Sequence, residues 1–382
     1  MNNKFKKNIL FLIIFIFLFV IVALFNYTID PYNLFRNKNL TRLISLPPEF
    51  VNIYIKMHKN VKTDRIIIGS SECDLIVSTS LFGKFHKLTL RGIEHKQYYD
   101  FLKAHFDLHP EVKDVVIVLT YTDITGYFKP TIPVYTGEKL NINEIIKLFF
   151  SYQITKASVE KIKEKFFYEK KEDANSSIEY HSCFPKQFEV PKKIGKLEEY
   201  TNQENIEYLG KIIAFLKEKK VNYYFIIPPY NAIYLSFIKN IEEYNEQVKA
   251  IKKYVVSKDV VLYDFAFVNK HTEKSLFDFP YLNRNFNHPS FLWGNKIYKT
   301  LFLDRSNNDG LYMLLTKDNV DEMLKLQDEL LEKYKKNNSE IVNLYNEIAQ
   351  KTNSPAGNKE LEFDITYTTN DIPTEYQEWL EE

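Results

Sequence analysis

The chain is poor in the residues that most often announce a chemistry. It has two cysteines, Cys73 and Cys183, among 382 residues, enough for one disulfide at most. Because Cys73 falls where a helix is expected to begin, both are read as unpaired. Glycine is scarce, with 10 in the whole chain, and no Gly-rich phosphate loop is found. No group of His, Cys, Asp and Glu is read at metal-ligand spacing. Neither a metal nor a nucleotide is therefore expected, and no cofactor. An excess of either charge is missing too: 51 basic and 50 acidic residues leave a net charge of +1. With the two signs interspersed, the concentrated basic face that nucleic acid requires is absent, and no nucleic-acid partner is expected. Long apolar runs are missing everywhere but at one place.

That place is residues 9–25, an uninterrupted apolar run preceded by Lys4, Lys6 and Lys7. At a rise of about 1.5 Å per residue such a helix nearly matches a bilayer core. No small-x-small cleavage site follows it, since residues 26–31 read Asn-Tyr-Thr-Ile-Asp-Pro, so an uncleaved anchor is favoured over a secretory signal. The first positive charge after the run is Arg36. The lysine bias predicts a single-pass protein of the cytoplasmic membrane, N-terminus inside and main domain outside, with the lipid bilayer as its first partner.

Beyond the anchor (residues 1–27) and a connecting segment (28–64), short strand-like runs recur at 65–68, 87–90, 115–119, 223–227 and 260–263. Helical patterns separate them at about 95–108, 205–219 and 237–256, the second with Ile206, Leu209, Ile213 and Leu216 on one face. The alternation implies βαβ units, a parallel sheet and helices on both of its faces over residues 65–305. Residues 124–200 interrupt the rhythm as a polar, lysine-rich insertion of the kind that covers or shapes a site. From 306 to 382 two amphipathic helices and an acidic tail are expected, packed on the domain or projecting as a hairpin. Two helices alone bury too little surface to stand as a domain.

The first strand stops at Gly69-Ser70-Ser71-Glu72. A triple isoleucine ending in that turn places Ser71 at the carboxyl end of a buried strand, where open α/β sheets bind ligands and where backbone N–H groups can receive an oxyanion. The alternative is that Ser70 or Ser71 caps the following helix. Far downstream, residues 283–294 read Asn-Arg-Asn-Phe-Asn-His-Pro-Ser-Phe-Leu-Trp-Gly, a polar loop holding His288 just ahead of a helix. A serine that ends the first strand and a histidine before the last helix resemble the SGNH/GDSL hydrolase superfamily. Further matches are Asp30-Pro31-Tyr32 after the anchor, Gly92 after the second strand, Asp123 after the third, and Ile227-Pro228-Pro229-Tyr230-Asn231. Together they are similar to the membrane-anchored branch whose members assist acyl transfer onto bacterial surface polysaccharides, as in alginate O-acetylation and teichoic acid D-alanylation.

The resemblance covers residues 27–303. It implies an SGNH-like, flavodoxin-like three-layer fold and a serine esterase or acyltransferase acting on acyl esters of surface polysaccharide. Ser71 would be the nucleophile, His288 its base, and the backbone at Ser71 and Gly92 the oxyanion site. A surface polysaccharide and a membrane-bound acyltransferase would be its partners. Where the family has an aspartate three before the histidine, this chain has Asn285. In a serine-protease triad that carboxylate is worth about 10⁴ in rate. Asn285 can orient the imidazole but supplies no charge. Three explanations stay open: a Ser71–His288 dyad oriented by a backbone carbonyl, a carboxylate from elsewhere such as Asp278 or Asp264, and an SGNH-fold envelope protein that has lost turnover and binds or scaffolds a membrane acyltransferase. For Asp264 the competing role is a strand-terminal cap. Glu72 is expected to favour the N-terminus of the helix behind Ser71, without a catalytic role.

Overall fold

The computed structural model describes residues 3–32, 34–35, 46–73, 76, 80–82, 85–90, 95–121, 140–168, 202–238, 242–274, 289, 291–303 and 310–343. Six strands form one sheet: β1 (Arg65–Gly69), β2 (His86–Thr89), β3 (Asp114–Val118), β4 (Asn222–Ile227), β5 (Leu262–Asp264) and β6 (Met313–Leu315), in the order β2-β1-β3-β4-β5-β6. The first five are parallel, in register Ile67↔Lys87 and Ile67↔Val116 around β1. β6 pairs antiparallel with β5 and makes the sheet mixed. A fully parallel sheet was expected. The extra strand comes from the segment assigned to a helical extension, where a three-residue strand is too short to show alternation.

Burial on both faces explains why the strands read as continuous apolar runs. Ile66, Ile67 and Ile68 are each fully buried. Ile66 and Ile68 enter one core with Val115, Ile117 and Phe225, while Ile67 enters the other with Val116, Val118 and Ile226. Burying one such side chain contributes about 1.5–3 kcal/mol. That outweighs any exposed ion pair of the chain, worth about 0–1 kcal/mol.

The first face is covered by α2 (Pro48–Met57), α3 (His95–Leu108), α6 (Asn202–Lys219), α7 (Ala232–Ile238), α8 (Glu242–Ser257) and α10 (Val320–Asn337). Leu209, Ile213 and Leu216 of α6 are buried, as their spacing predicts. The second face is covered by α9 (Phe291–Tyr298), whose Leu292, Trp293 and Ile297 are buried, with Phe82 and Phe85. The protein is thus α/β, with a mostly parallel sheet between helical layers.

The N-terminal helix α1 (Asn3–Ile29) includes Phe5–Ile29, long and apolar enough to cross a membrane by length and composition, a test that a signal sequence also passes. Two helices of the insertion pack on it: α4 (Ile142–Phe150) and α5 (Tyr152–Tyr168). Asn141 opens α4 with a reciprocal capping box, its side chain accepting from the Glu144 N–H and the Glu144 carboxylate accepting from its own.

The contact is polar at its centre. Asn26 is fully buried and donates to Phe149 O (2.7 Å) and Thr155 Oγ1 (2.9 Å), while Ser158 Oγ donates to its Oδ1 (3.1 Å). Asp30 then breaks the helix at φ 44°, its carboxylate accepting the N–H groups of Leu34 (2.6 Å) and Phe35 (3.1 Å). An insertion of this kind is expected over a site, yet its described helices clamp the end of the apolar helix instead.

Asn26→Leu keeps the bulk and removes all three bonds, leaving Phe149 O and Ser158 Oγ buried without their partner. A loss of roughly 1–3 kcal/mol per orphaned group is expected, read by denaturant unfolding of the full chain in detergent. An unchanged midpoint would show the clamp to be dispensable.

Candidate functional site

Reversal of strand order decides where a ligand can reach this sheet. The chain moves from β1 outward to β2, then crosses back over β1 to β3, so the helical connections diverge at β1 and β3 and open a crevice at their carboxyl ends. β1 ends there at Gly69-Ser70-Ser71, and β3 continues into Leu119-Thr120-Tyr121. Ser70 and Thr120, both buried, bridge the two strand ends through their hydroxyls at 2.9 Å.

Ser71 opens a 3-10 turn, Ser71–Cys73, where an α-helix was expected. The turn closes through the Cys73 N–H on Ser70 O (3.2 Å), and the buried Cys73 thiol donates to the same oxygen (2.9 Å). Cys73 folds back over Gly69 so closely that a Cβ there would collide with its sulfur and lie 3.0 Å from Val118 Cβ. Glycine is needed at 69 for that approach.

Ser71 is described by its backbone alone. Gly92, Asp123, Asp278, Asn285 and His288 lie outside the described residues, as does Cys183. Their neighbours do meet. Pro289, next to His288, is buried in a single β-bridge. Gly294 of α9 packs directly on the backbone carbonyl of Ile76, five residues past Ser71, where any side chain would collide. Trp293 is buried in the second core, edge-on to Phe265 at 6.4 Å.

Beneath the crevice runs a buried polar chain that the sequence reading missed. Tyr230, after β4, donates to Glu72 Oε2 at 2.6 Å and accepts the Tyr121 N–H at 2.9 Å. Burial, then the Glu72 charge, holds the Tyr230 hydroxyl well above its usual pKa, so it stays protonated and keeps donating. Glu72 therefore tethers the turn behind Ser71 to β4, whereas a helix-terminal charge was expected of it. The Tyr121 ring lies 4.7 Å from that of Tyr230 and 5.7 Å from Lys252 Nζ.

Asp264, one of the candidate carboxylates, ends β5 fully buried. Its Oδ2 pairs with Lys252 Nζ at 2.6 Å and accepts from Gln327 Nε2 at 2.7 Å. Its Oδ1 accepts the Ala266 N–H at 2.9 Å, a strand-terminal cap. Lys252 also donates to Gln327 Oε1 at 3.0 Å, closing a triangle among β5, α8 and α10.

A second cluster stands at the other end of the sheet. His86, at the amino end of β2, meets His105 near the end of α3 and His109 just beyond it, all three buried. The expectation that no metal-ligating group exists passed over the His105-x-x-x-His109 spacing, which puts two imidazoles on one helical face. That spacing was the available signal. His86 comes from a strand and could not be paired with them by sequence.

No protein-family model, no curated protein and no solved structure matches the chain.

Breaking a buried ion pair from one side strands the other charge. Asp264→Asn is expected to destabilise the full chain by about 3–5 kcal/mol in denaturant unfolding, and pairing it with Lys252→Met should recover much of the loss. A mutant as stable as the parent would contradict a structural role for Asp264.

Proposed function

We propose that the chain is an SGNH-like, flavodoxin-like α/β/α serine esterase or acyltransferase, anchored in the cytoplasmic membrane by α1 and acting on acyl esters of cell-surface polysaccharide outside it. The observation that carries this reading is the position of the Gly69-Ser70-Ser71 turn. It ends the first strand at the point where strand order reverses, beside Thr120, where doubly wound sheets of order 2-1-3-4-5 bind ligands. The close seat of Gly294 on Ile76 supports it, because α9 follows His288 by three residues and Ile76 follows Ser71 by five. Membrane attachment is supported by α1 and by Ile142, Ile145 and Ile146 of α4, which stay exposed next to it, an amphipathic face suited to a bilayer surface.

The chemistry follows from the residue types. His288 takes the proton of Ser71 as Oγ attacks the ester carbonyl carbon, and the N–H groups at Ser71 and Gly92 receive the oxyanion. Collapse of the tetrahedral species breaks the ester C–O bond, and the leaving alkoxide takes the proton back from His288. The acyl-serine is then resolved by water, giving an esterase, or by a sugar hydroxyl, giving an acyltransferase.

The second reading, a catalytically impaired scaffold for a membrane acyltransferase, is favoured by one observation. Asp264 is committed to Lys252 and Gln327, so it offers no charge to a histidine whose aspartate position is Asn285.

The test is acetyl-ester hydrolysis, with p-nitrophenyl acetate, by the full chain in detergent. Ser71→Ala and His288→Ala should each lower the rate by roughly 10²–10⁴-fold. Three equal rates would refute the catalytic reading and leave the scaffold. Separately, Asn285→Asp should raise kcat, by as much as about 10⁴ if a missing charge is the whole deficit. An unchanged kcat would mean that another group orients His288.

A further inference from the structure

The histidine cluster at the amino end of the sheet is independent of the Ser71 crevice. Each of His86, His105 and His109 offers a ring nitrogen within 4.8 Å of the other two. His86 Nδ1 and His105 Nε2 share a hydrogen bond at 3.0 Å, in which a metal would take the place of the proton, and the ring centroids lie 5.0 Å from each other and 4.9 and 4.5 Å from that of His109. Three buried imidazoles are costly company for one another unless their nitrogens are satisfied. They are not all satisfied: His86 Nε2 is buried with no hydrogen-bond partner among the described residues.

The surroundings have the form of a metal site's outer contacts. His109 Nδ1 lies 3.5 Å from Glu111 Oε1, the carboxylate–imidazole arrangement that leaves Nε2 as the lone-pair nitrogen. His58, at the end of α2, turns Nδ1 to Tyr54 O at 2.8 Å. Burial, reinforced by the neighbouring imidazoles, drives the His86 pKa down to about 3 and that of His105 well below its usual value. His109 is also lowered by burial, against the upward pull of Glu111. At neutral pH the three rings are therefore uncharged and carry the lone pairs that ligation needs.

We propose that His86, His105 and His109 bind one divalent transition-metal ion, zinc by the chemistry of an all-imidazole donor set. Imidazole suits zinc, copper and nickel, whereas calcium and magnesium take oxygen ligands. All three residues are shielded from solvent, and three histidines would leave the ion's fourth position to a water. The ion fastens the edge strand β2 to the end of α3, and β2 is the strand that leads to Gly92. The competing account is a stack of neutral imidazoles that fills the core without a metal.

The two accounts separate in a zinc titration. Full-length protein carrying no histidine tag is stripped with a chelator in detergent and titrated with zinc chloride, reading metal content, affinity and thermal midpoint. One zinc per chain, a dissociation constant below micromolar and a raised midpoint are expected. His105→Gln and His109→Gln should each weaken binding by at least tenfold, and His271→Gln, outside the cluster, should leave it unchanged. A parent chain that takes up no stoichiometric zinc and shows no midpoint shift would overturn the proposal. So would a His105→Gln/His109→Gln double variant that binds as tightly as the parent. Should those variants fail to fold, cobalt titration of the parent decides: a strong visible ligand-field band supports the site, and the weak spectrum of hydrated cobalt refutes it.

Discussion

The constraint on which the architecture rests is that β1 is buried on both faces and paired on both edges. Ile66, Ile67 and Ile68 leave no side of the strand for water, and β2 and β3 take its hydrogen bonds left and right. A strand so enclosed can change direction only at its ends. At the carboxyl end the chain must escape between two helical layers, and it does so through Gly69, whose missing side chain lets Cys73 fold back over the backbone. The tight turn at Ser70–Ser71 is thus a consequence of enclosure first. The Ser70–Thr120 bond, the Cys73 contacts and the Tyr230–Glu72 bond then fix that turn from three directions.

A second constraint acts where the apolar helix meets the domain. Asn26 is a buried amide at the end of a helix that otherwise exposes apolar side chains, and an unpaired amide there would cost several kcal/mol in a nonpolar surrounding. Pairing it to Phe149, Thr155 and Ser158 turns that cost into direction. The helix ends are held at one angle, and Asp30, in a left-handed conformation with its carboxylate on the next two turn N–H groups, sets where the chain goes afterwards. Lys161 donates to Asp30 O at 2.9 Å and ties α5 to the same corner. Polar groups give the junction a geometry that apolar packing alone would leave loose.

What was legible in the sequence is what periodicity and turn chemistry encode locally. The isoleucine run and its Gly-Ser-Ser stop located β1 and its turn, and helix α3 begins and ends at the residues its pattern marks. What escaped depended on distant partners. β6 is three residues long and exists because β5 offers it an edge. Tyr230 reads as a core aromatic until Glu72, 158 residues away, is found under its hydroxyl. Lys252 looks like any exposed helix lysine, yet it is 1 % exposed because Asp264 and Gln327 meet it from two other elements. Helix amphipathicity carries no sign of this, since the partners decide which lysine may be buried.

The two ends of the sheet are built on opposite electrostatic terms, and that division orders the whole molecule. At the carboxyl end, buried charge is compensated in place: Glu72 by the Tyr230 hydroxyl, Asp264 by Lys252, each within 2.6 Å. Such a network is stiff, because moving any member strands another in a medium that cannot solvate it. It forms the floor under the Ser71 turn. At the amino end of β2, burial has stripped the charge from a group of imidazoles that meet through the His86–His105 hydrogen bond, with His86 Nε2 unpartnered among the described residues. That end is held by one hydrogen bond between neutral rings and by the single neighbour of an edge strand. A cation among those nitrogens would add a second fastening between β2 and the end of α3, at the end of the sheet opposite the Glu72 and Asp264 pairs.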